Sequence, residues 1–360
     1  MDDIVAAPDL DQREMFRHLI VANSQHWLAC AQQNETQLLA EAPQVIKTLH
    51  FALSLTDAWH PARDLMRYLN PLMLRQGQGE VWEPLLNKAI TQSAALDDPV
   101  ELELRLALGQ LYRLQGRLPD AQRTLQQALA TTQETTQLYW TLLNEQALIL
   151  RLLTHHEQAI DYCQQVLQAP QVTATAQAEA LNVLGLVAHD RREWPQALDY
   201  YEQALSLYKK TNDNYHIARI LTNRGVLFQQ QKRLEEAEAS CHAAIEAFDR
   251  AGDQAERYKA VMNLGNIFLV QQQYQAAINQ YLLALPAFQR CNFMVDLTNL
   301  YNNLGMAYGK SNDASSAEAY FIEAVTLARN LGDPYKLANI LDNFGKQLIT
   351  MEAKAQARTQ

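Results

Sequence analysis

Five glycines, Gly185, Gly225, Gly265, Gly305 and Gly345, follow one another at intervals of 40 residues. Twelve residues after each of the first four comes an alanine: Ala197, Ala237, Ala277 and Ala317. One supersecondary unit is therefore copied head to tail, and the rest of the chain is read against it. Only 12 Gly and 11 Pro occur in 360 residues, against abundant Ala, Leu and Gln, so the unit is expected to be helical.

Each regular unit reads as two helices joined by a short turn. In the unit of Gly225 they run from about Tyr215 to Gln230 and from about Leu234 to Arg250. Between units the punctuation is Asn212-Asp213, Gly252-Asp253 and Gly332-Asp333-Pro334, with Asp98-Pro99 doing the same earlier. There glycine can close one helix in the left-handed conformation while aspartate caps the next. Before Gly185 the pattern degenerates, with Ala147, Gly109 and Asn70 at the first marker and Ala159, Ala121 and Trp82 at the second. Residues 1–10 read as a mobile leader and 11–60 as an irregular N-terminal helical cap. Residues 61–173 read as degenerate units, 174–333 as four regular units, and 334–360 as a capping helix and tail.

Within a unit, glycine at the first marker lets the second helix come close. Alanine at +12 is expected to be the other half of that contact, and the large residue at +3 (Tyr112, Phe228, Phe268, Tyr308) to fill the same seam. A further apolar residue recurs at +16 (Leu125, Cys163, Tyr201, Cys241, Tyr281, Phe321) and a small one at +19 (Ala204, Ala244, Ala284, Ala324). Glycine, aromatic at +3, alanine at +12, aromatic at +16 and alanine at +19 together resemble the tetratricopeptide repeat, over about residues 61–350. The usual repeat has ~34 residues, so this chain resembles the long-helix variant of kinesin light chain and of peptide-pheromone receptors. The first 100 residues also look loosely similar to the helical segment that follows the ATPase module of the STAND signalling ATPases. The resemblance implies an all-α fold, a right-handed α-solenoid of antiparallel helix pairs whose first helices line a concave groove.

With the glycine as zero, positions −6, −3, −2, +1 and +5 fall on the face of the first helix opposite the seam. That face is rich in asparagine: Asn223, Asn263, Asn303 and Asn343 at −2, Asn144, Asn182 and Asn302 at −3, Asn266 at +1, and Asn299 and Asn339 at −6. Asparagine is a mediocre helix former, and a row of amides can hold the backbone of an extended peptide, as the resemblance also implies for groove asparagines. The competing reading is hydrogen bonding between neighbouring repeats. Arg219, Lys259, Lys310 and Lys346 add positive charge to this face, with Glu179, Asp190 and Asp342 opposing them. A locally basic groove would favour a ligand with acidic side chains or a free carboxylate.

Other features argue against alternatives. A formal net charge of −10 disfavours direct nucleic-acid binding. No apolar run is long enough for a membrane span, and the acidic start MDDIVAAPDL is no signal peptide. The cysteines, Cys30, Cys163, Cys241 and Cys291, have no CxxC or metal-like spacing, so reduced thiols in a cytoplasmic protein are expected. The run Gly305 to Ser311 mimics a phosphate loop but is one residue short and lies within a helix. His155-His156-Glu157 lacks the second histidine of a zinc motif. No catalytic constellation, cofactor or metal site is expected. The leading expectation is a non-enzymatic adaptor that binds a protein segment or peptide through the asparagine ladder. The alternatives are a ligand-sensing regulatory subunit of a signalling ATPase or transcription system, and a self-associating scaffold.

Overall fold

The computed structural model describes residues 11–33, 38, 41–75, 78–290 and 294–359. The expected leader, residues 1–10, and Cys291 lie outside the described residues. Every regular element among the described residues is helical, and the fold class is all-α, a solenoid of helix pairs. The chain divides into two compact units, Met1–Thr154 and His155–Gln360.

The first unit contains α1 (Gln12–Gln33), α2 (Ala42–Ala52), a 3₁₀ turn (Thr56–Ala58), α3 (Trp59–Arg75), α4 (Gly79–Ala95), α5 (Val100–Leu114), α6 (Leu118–Leu129) and α7 (Gln137–Leu152). Pro43 sits in the first turn of α2, where the missing N–H costs nothing. Degeneracy here has a chemical form. At the first pair of markers the Trp82 indole N–H donates to Asn70 Oδ1 over 2.9 Å, a polar lock at the two positions that later units fill with glycine and alanine. Asp98 is a second tie, accepting from the Trp59 indole at 2.8 Å, the Arg63 guanidinium at 2.9 Å and the Val100 N–H at 3.1 Å. Those three donors hold its carboxyl below the usual carboxylate range, against the upward pull of burial.

The second unit contains α8 (His156–Gln168) followed by four matched pairs and a last helix. The pairs are α9 (Ala174–Asp190) with α10 (Trp194–Lys210), α11 (Asn214–Gln230) with α12 (Leu234–Ala251), α13 (Gln254–Val270) with α14 (Tyr274–Arg290), and α15 (Met294–Lys310) with α16 (Ala314–Leu331). The last helix, α17 (Pro334–Thr359), is longer than any other first helix of this unit. The punctuation behaves as its chemistry demands. Gly252 and Gly332 close their helices at φ 71° and 65°. Asp213, Asp253 and Asp333 accept from the N–H groups of His216, Glu256 and Lys336 at 3.1, 3.0 and 2.9 Å. Each turn inside a pair holds a second left-handed residue, at +7: Arg192, Lys232, Gln272 and Asn312, with φ from 60° to 69°. None of these is glycine, so this regularity is invisible in composition.

The seam inside each pair departs from expectation in one respect. The side chain that enters the space above the glycine is the +16 residue rather than the +12 alanine. A Cβ on Gly265 would stand 2.5 Å from Tyr281 Cε1, one on Gly185 2.5 Å from Tyr201 Cε1, and one on Gly305 2.9 Å from Phe321. The glycine is thus a socket for a ring, while Ala197, Ala237 and Ala277 are fully buried beside it. In the pair α11–α12 the +16 residue is only Cys241, whose Sγ would lie 3.1 Å from a Cβ on Gly225.

The seam sets up a graded prediction. Gly265→Ala forces the Tyr281 ring to move, an overpacking cost of roughly 1–3 kcal/mol that exceeds the ~1 kcal/mol gained in helix propensity. Gly225→Ala meets a smaller neighbour, and the two effects nearly cancel. Thermal unfolding followed by circular dichroism should show a clear drop in midpoint for Gly265→Ala and little change for Gly225→Ala.

Candidate functional site

The first helices α9, α11, α13, α15 and α17 present the asparagine-rich register on one face of the second unit. The structure ties six of these amides to each other, and two of the bonds follow one rule: an asparagine at −2 donates to the asparagine at −3 of the preceding unit. Asn223 Nδ2 donates to Asn182 Oδ1 at 3.0 Å, and Asn343 Nδ2 to Asn302 Oδ1 at 3.2 Å. Asn182 and Asn302 are both buried, so these bonds satisfy groups that water cannot reach. Where the preceding −3 residue is Met262, Asn303 Nδ2 turns instead to Asn266 Oδ1, at 2.8 Å. That oxygen also accepts from the Tyr281 hydroxyl at 2.8 Å, and Asn302 Nδ2 donates to Asn303 Oδ1 at 3.4 Å. A connected amide network therefore spans α13, α15 and α17.

Asn263 breaks the rule. Its preceding −3 residue is Thr222, whose hydroxyl already donates to the Ala218 carbonyl at 2.9 Å. The Asn263 side chain, half-buried on this face, makes no hydrogen bond among the described residues. At −6, Asn299 Oδ1 accepts from Lys336 Nζ at 3.0 Å, while Asn339 is exposed and bonds to nothing among the described residues.

The positive charge of the face is narrower than the residue types imply. Lys259 Nζ lies 2.8 Å from Glu256 and 3.7 Å from Asp296, which stands at −9 of the next unit. Burial pushes the Lys259 ammonium down, but the two carboxylates overcome it and raise its pKa. Asp296 is pushed up, because burial and the like charge of Glu256 outweigh the ammonium. Lys346 pairs with Asp342 at 2.6 Å on the surface of α17. Arg219 and Lys310 are different. The Arg219 guanidinium lies 5.9 Å from the Tyr215 ring centroid, and neither side chain has a carboxylate within ion-pair distance among the described residues. Lys310 borders a shallow pocket with Met306 of its own helix and Leu269, Gln272 and Tyr274 of the preceding unit.

Beside Arg219 lies His216, stacked on Tyr208 with ring centroids 4.8 Å apart. Its Nδ1 is 2.7 Å from Asp213 and its Nε2 4.0 Å from Glu179. Burial lowers the His216 pKa despite the pull of Asp213 upward, with Arg219 adding to the lowering. The neutral imidazole is thus favoured in the fold. The stability that this preference contributes is complete above the ordinary histidine value of about 6.5. It is lost as pH falls through the lower folded value. Thermal midpoints measured down a pH series should fall below that point, and His216→Gln should flatten part of the slope.

The features set aside from sequence stay outside this site. Gly305–Lys310 is helical within α15, and Gly309 makes room for the Gln347 side chain. Cys163 and Cys241 are buried, and burial pushes each thiol up to about 12, so neither is a nucleophile. His189 packs edge-on against Trp194 at 5.4 Å. No group of three or more metal-capable side chains occurs among the described residues, and no described helix is long and apolar enough to cross a membrane.

Stacked helix hairpins, packed in the second unit over a marker glycine and joined to the next through their first helices, define the class of α-solenoids. Models of the tetratricopeptide repeat match residues 104–138, 138–210, 182–251, 240–290 and 298–331, together more than half of the chain. The chain belongs to the tetratricopeptide-repeat family. A search by sequence among curated proteins finds no match. Among solved structures it is similar to a Rap protein complexed with competence and sporulation factor, at 12% identity and TM-score 0.60 over 90% of each chain. It is similar to the apo form of the quorum sensor NprR from B. thuringiensis, at 14% identity and TM-score 0.59 over 89% of each chain. A third is the STAND protein with a tetratricopeptide repeat sensor from Pyrococcus horikoshii, at 11% identity and TM-score 0.55, covering 98% of this chain and 67% of that one. At these identities the likeness is one of fold. The resemblance to kinesin light chain is not confirmed.

Proposed function

We propose that the protein is a non-catalytic interaction module that holds an extended peptide, or an unstructured segment of a partner protein, along the first helices of its second unit. The observation that carries this reading is Asn263. Its register mates Asn223, Asn303 and Asn343 all donate to other asparagines, whereas both halves of its amide are left to meet a ligand. One amide offers a donor and an acceptor, which is what a peptide backbone requires of a sequence-tolerant contact.

In this reading the other asparagines act mainly by fixing the spacing and orientation of the face, while each keeps hydrogen-bonding capacity beyond the bonds it makes. Asn182, Asn299, Asn302 and Asn343 belong to that group. Asn339 extends the ladder toward the end of the array. Arg219 and Lys310 supply the charge that selects an acidic side chain or terminal carboxylate, and Met306, Leu269 and Tyr274 an apolar surface beside Lys310. Lys259 and Lys346, already matched by carboxylates, contribute little to that selection. The structural neighbours include a Rap protein in complex with a named factor and a quorum sensor, and a peptide ligand is consistent with both. The tetratricopeptide repeat sensor of the Pyrococcus protein favours a second reading, in which ligand capture by the same face is transmitted to a separate effector.

Random peptides displayed on phage and selected on the immobilised protein test the proposal. Peptides that enrich should lose at least tenfold in affinity by calorimetry, about 1.4 kcal/mol, in Asn263→Ala/Arg219→Ala, with the thermal midpoint unchanged. Asn182→Ala should instead lower the midpoint, since it strips a buried acceptor from Asn223, a loss of about 1 kcal/mol. Enriched peptides that bind the Asn263→Ala/Arg219→Ala protein as tightly as wild type would reject the site.

A further inference from the structure

In the regular units one stripe of the first helix, at −7, −4, 0 and +3 from the marker glycine, lies against the second helix. In α9 the stripe is Ala178, Leu181, Gly185 and Ala188, and in α11 it is Ala218, Leu221, Gly225 and Phe228; all eight residues are buried. The helix α17 carries the same stripe as Ala338, Leu341, Gly345 and Leu348. There it is open. Ala338 is exposed, Leu341 is 44% and Leu348 41% exposed, and a Cβ on Gly345 would meet nothing within 4 Å. Ile349, 69% exposed, widens the apolar surface.

The flank of α17 beside the stripe is anchored, which fixes the rotation of the helix. Ile340 is buried, Gln347 fills the space above Gly309, and Phe344 stacks on Phe321 with centroids 5.0 Å apart. The result is half of a helix seam whose other half is not found among the described residues. A contiguous apolar stripe with small residues seven positions apart is built for close approach by another helix.

We propose that this stripe joins two copies of the chain through an antiparallel α17–α17 pair whose two-fold axis passes near Gly345. A two-fold contact needs a self-complementary surface, and the stripe is one in both shape and charge. The small Gly345 lies between Leu341 and Leu348, so each copy offers both a socket and the leucines to fill it. Leucine is large enough for this, as Leu125 shows by filling the socket over Gly109 in the first unit. Along one edge run Asp342 and Lys346, one of each sign, 2.6 Å apart. Antiparallel pairing about Gly345 sets Asp342 of each copy beside Lys346 of the other. This local neutrality matters in a chain of formal net charge −10, which would resist self-association through a surface of one sign.

Size-exclusion chromatography with multi-angle light scattering on the 360-residue protein reads the outcome directly. The proposal expects the mass of two chains of 40.9 kDa, and of one chain for Leu341→Glu/Leu348→Glu with its helical circular dichroism intact. Asp342→Lys and Lys346→Asp should each weaken the dimer, and the two together should restore it. Should the double glutamate variant unfold, Gly345→Cys supplies an independent reading: under mild oxidation it should give a cross-linked dimer that the wild type does not. A wild type that remains monomeric at all concentrations, a dimer that survives the two glutamates, or a Gly345→Cys protein that fails to cross-link overturns the proposal. A monomer that acquires mass only with a different protein would assign the stripe to that partner instead.

Discussion

The close approach of two helices over a glycine is the contact on which the second unit depends. Because Gly185, Gly265 and Gly305 lack a Cβ, the rings of Tyr201, Tyr281 and Phe321 can lie directly on the backbone of the partner helix. Burying a ring of that size is among the larger single contributions a side chain makes to a core. The same contact fixes the rotation of each first helix about its own axis. Once glycine points at the second helix, the residues at −6, −2 and +1 must point the other way. Packing and display are therefore two consequences of one register.

The asparagine face shows how a repeated residue acquires different roles at different copies. Two of its hydrogen bonds run between units, from −2 to the preceding −3, so the role of an amide at −2 depends on the residue 41 positions earlier in the chain. Where that earlier residue is asparagine the two amides close on each other. Where it is Met262 the donor finds Asn266, and where it is Thr222 the donor at Asn263 finds nothing among the described residues. The charges obey a similar rule. Lys259 at −6 meets Asp296 at −9 of the following unit, and Asn299 meets Lys336 in the same relation. Those pairings leave Arg219 and Lys310 as the cations on this face without a carboxylate among the described residues, in a protein that is acidic as a whole.

Much of the fold was legible because it rests on local chemistry that recurs. The interval of 40 residues, the Gly252-Asp253 and Gly332-Asp333 boundaries and the buried Cys163 and Cys241 all follow from residue types at fixed spacing. What escaped depended on partners far away in sequence. The ring over each glycine is contributed 16 residues later, and only its volume distinguishes Gly225 over Cys241 from Gly265 over Tyr281. In the second unit the left-handed residue at +7 is arginine, lysine, glutamine or asparagine, so there its backbone role leaves no trace in residue type; only the first unit shows it, with Gly116 at +7 from Gly109. For the candidate site, the face and its residues could be named from register, but the division between engaged and unengaged amides could not. Comparing the −3 residue of each unit with the −2 residue of the next would have found it. The same comparison at −6 and −9 would have shown that Lys259 is neutralised.

The central claim is that the Asn263 amide, among the asparagines of this face, is the one left for a ligand's backbone. Two-dimensional ¹H–¹⁵N NMR of the asparagine side-chain amides, recorded while a selected peptide is titrated into the protein, observes that group directly. The account predicts that the Asn263 side-chain resonances move most, while those of Asn182 and Asn302, already bonded between units, move far less. A peptide that binds and leaves the Asn263 amide unshifted would contradict it.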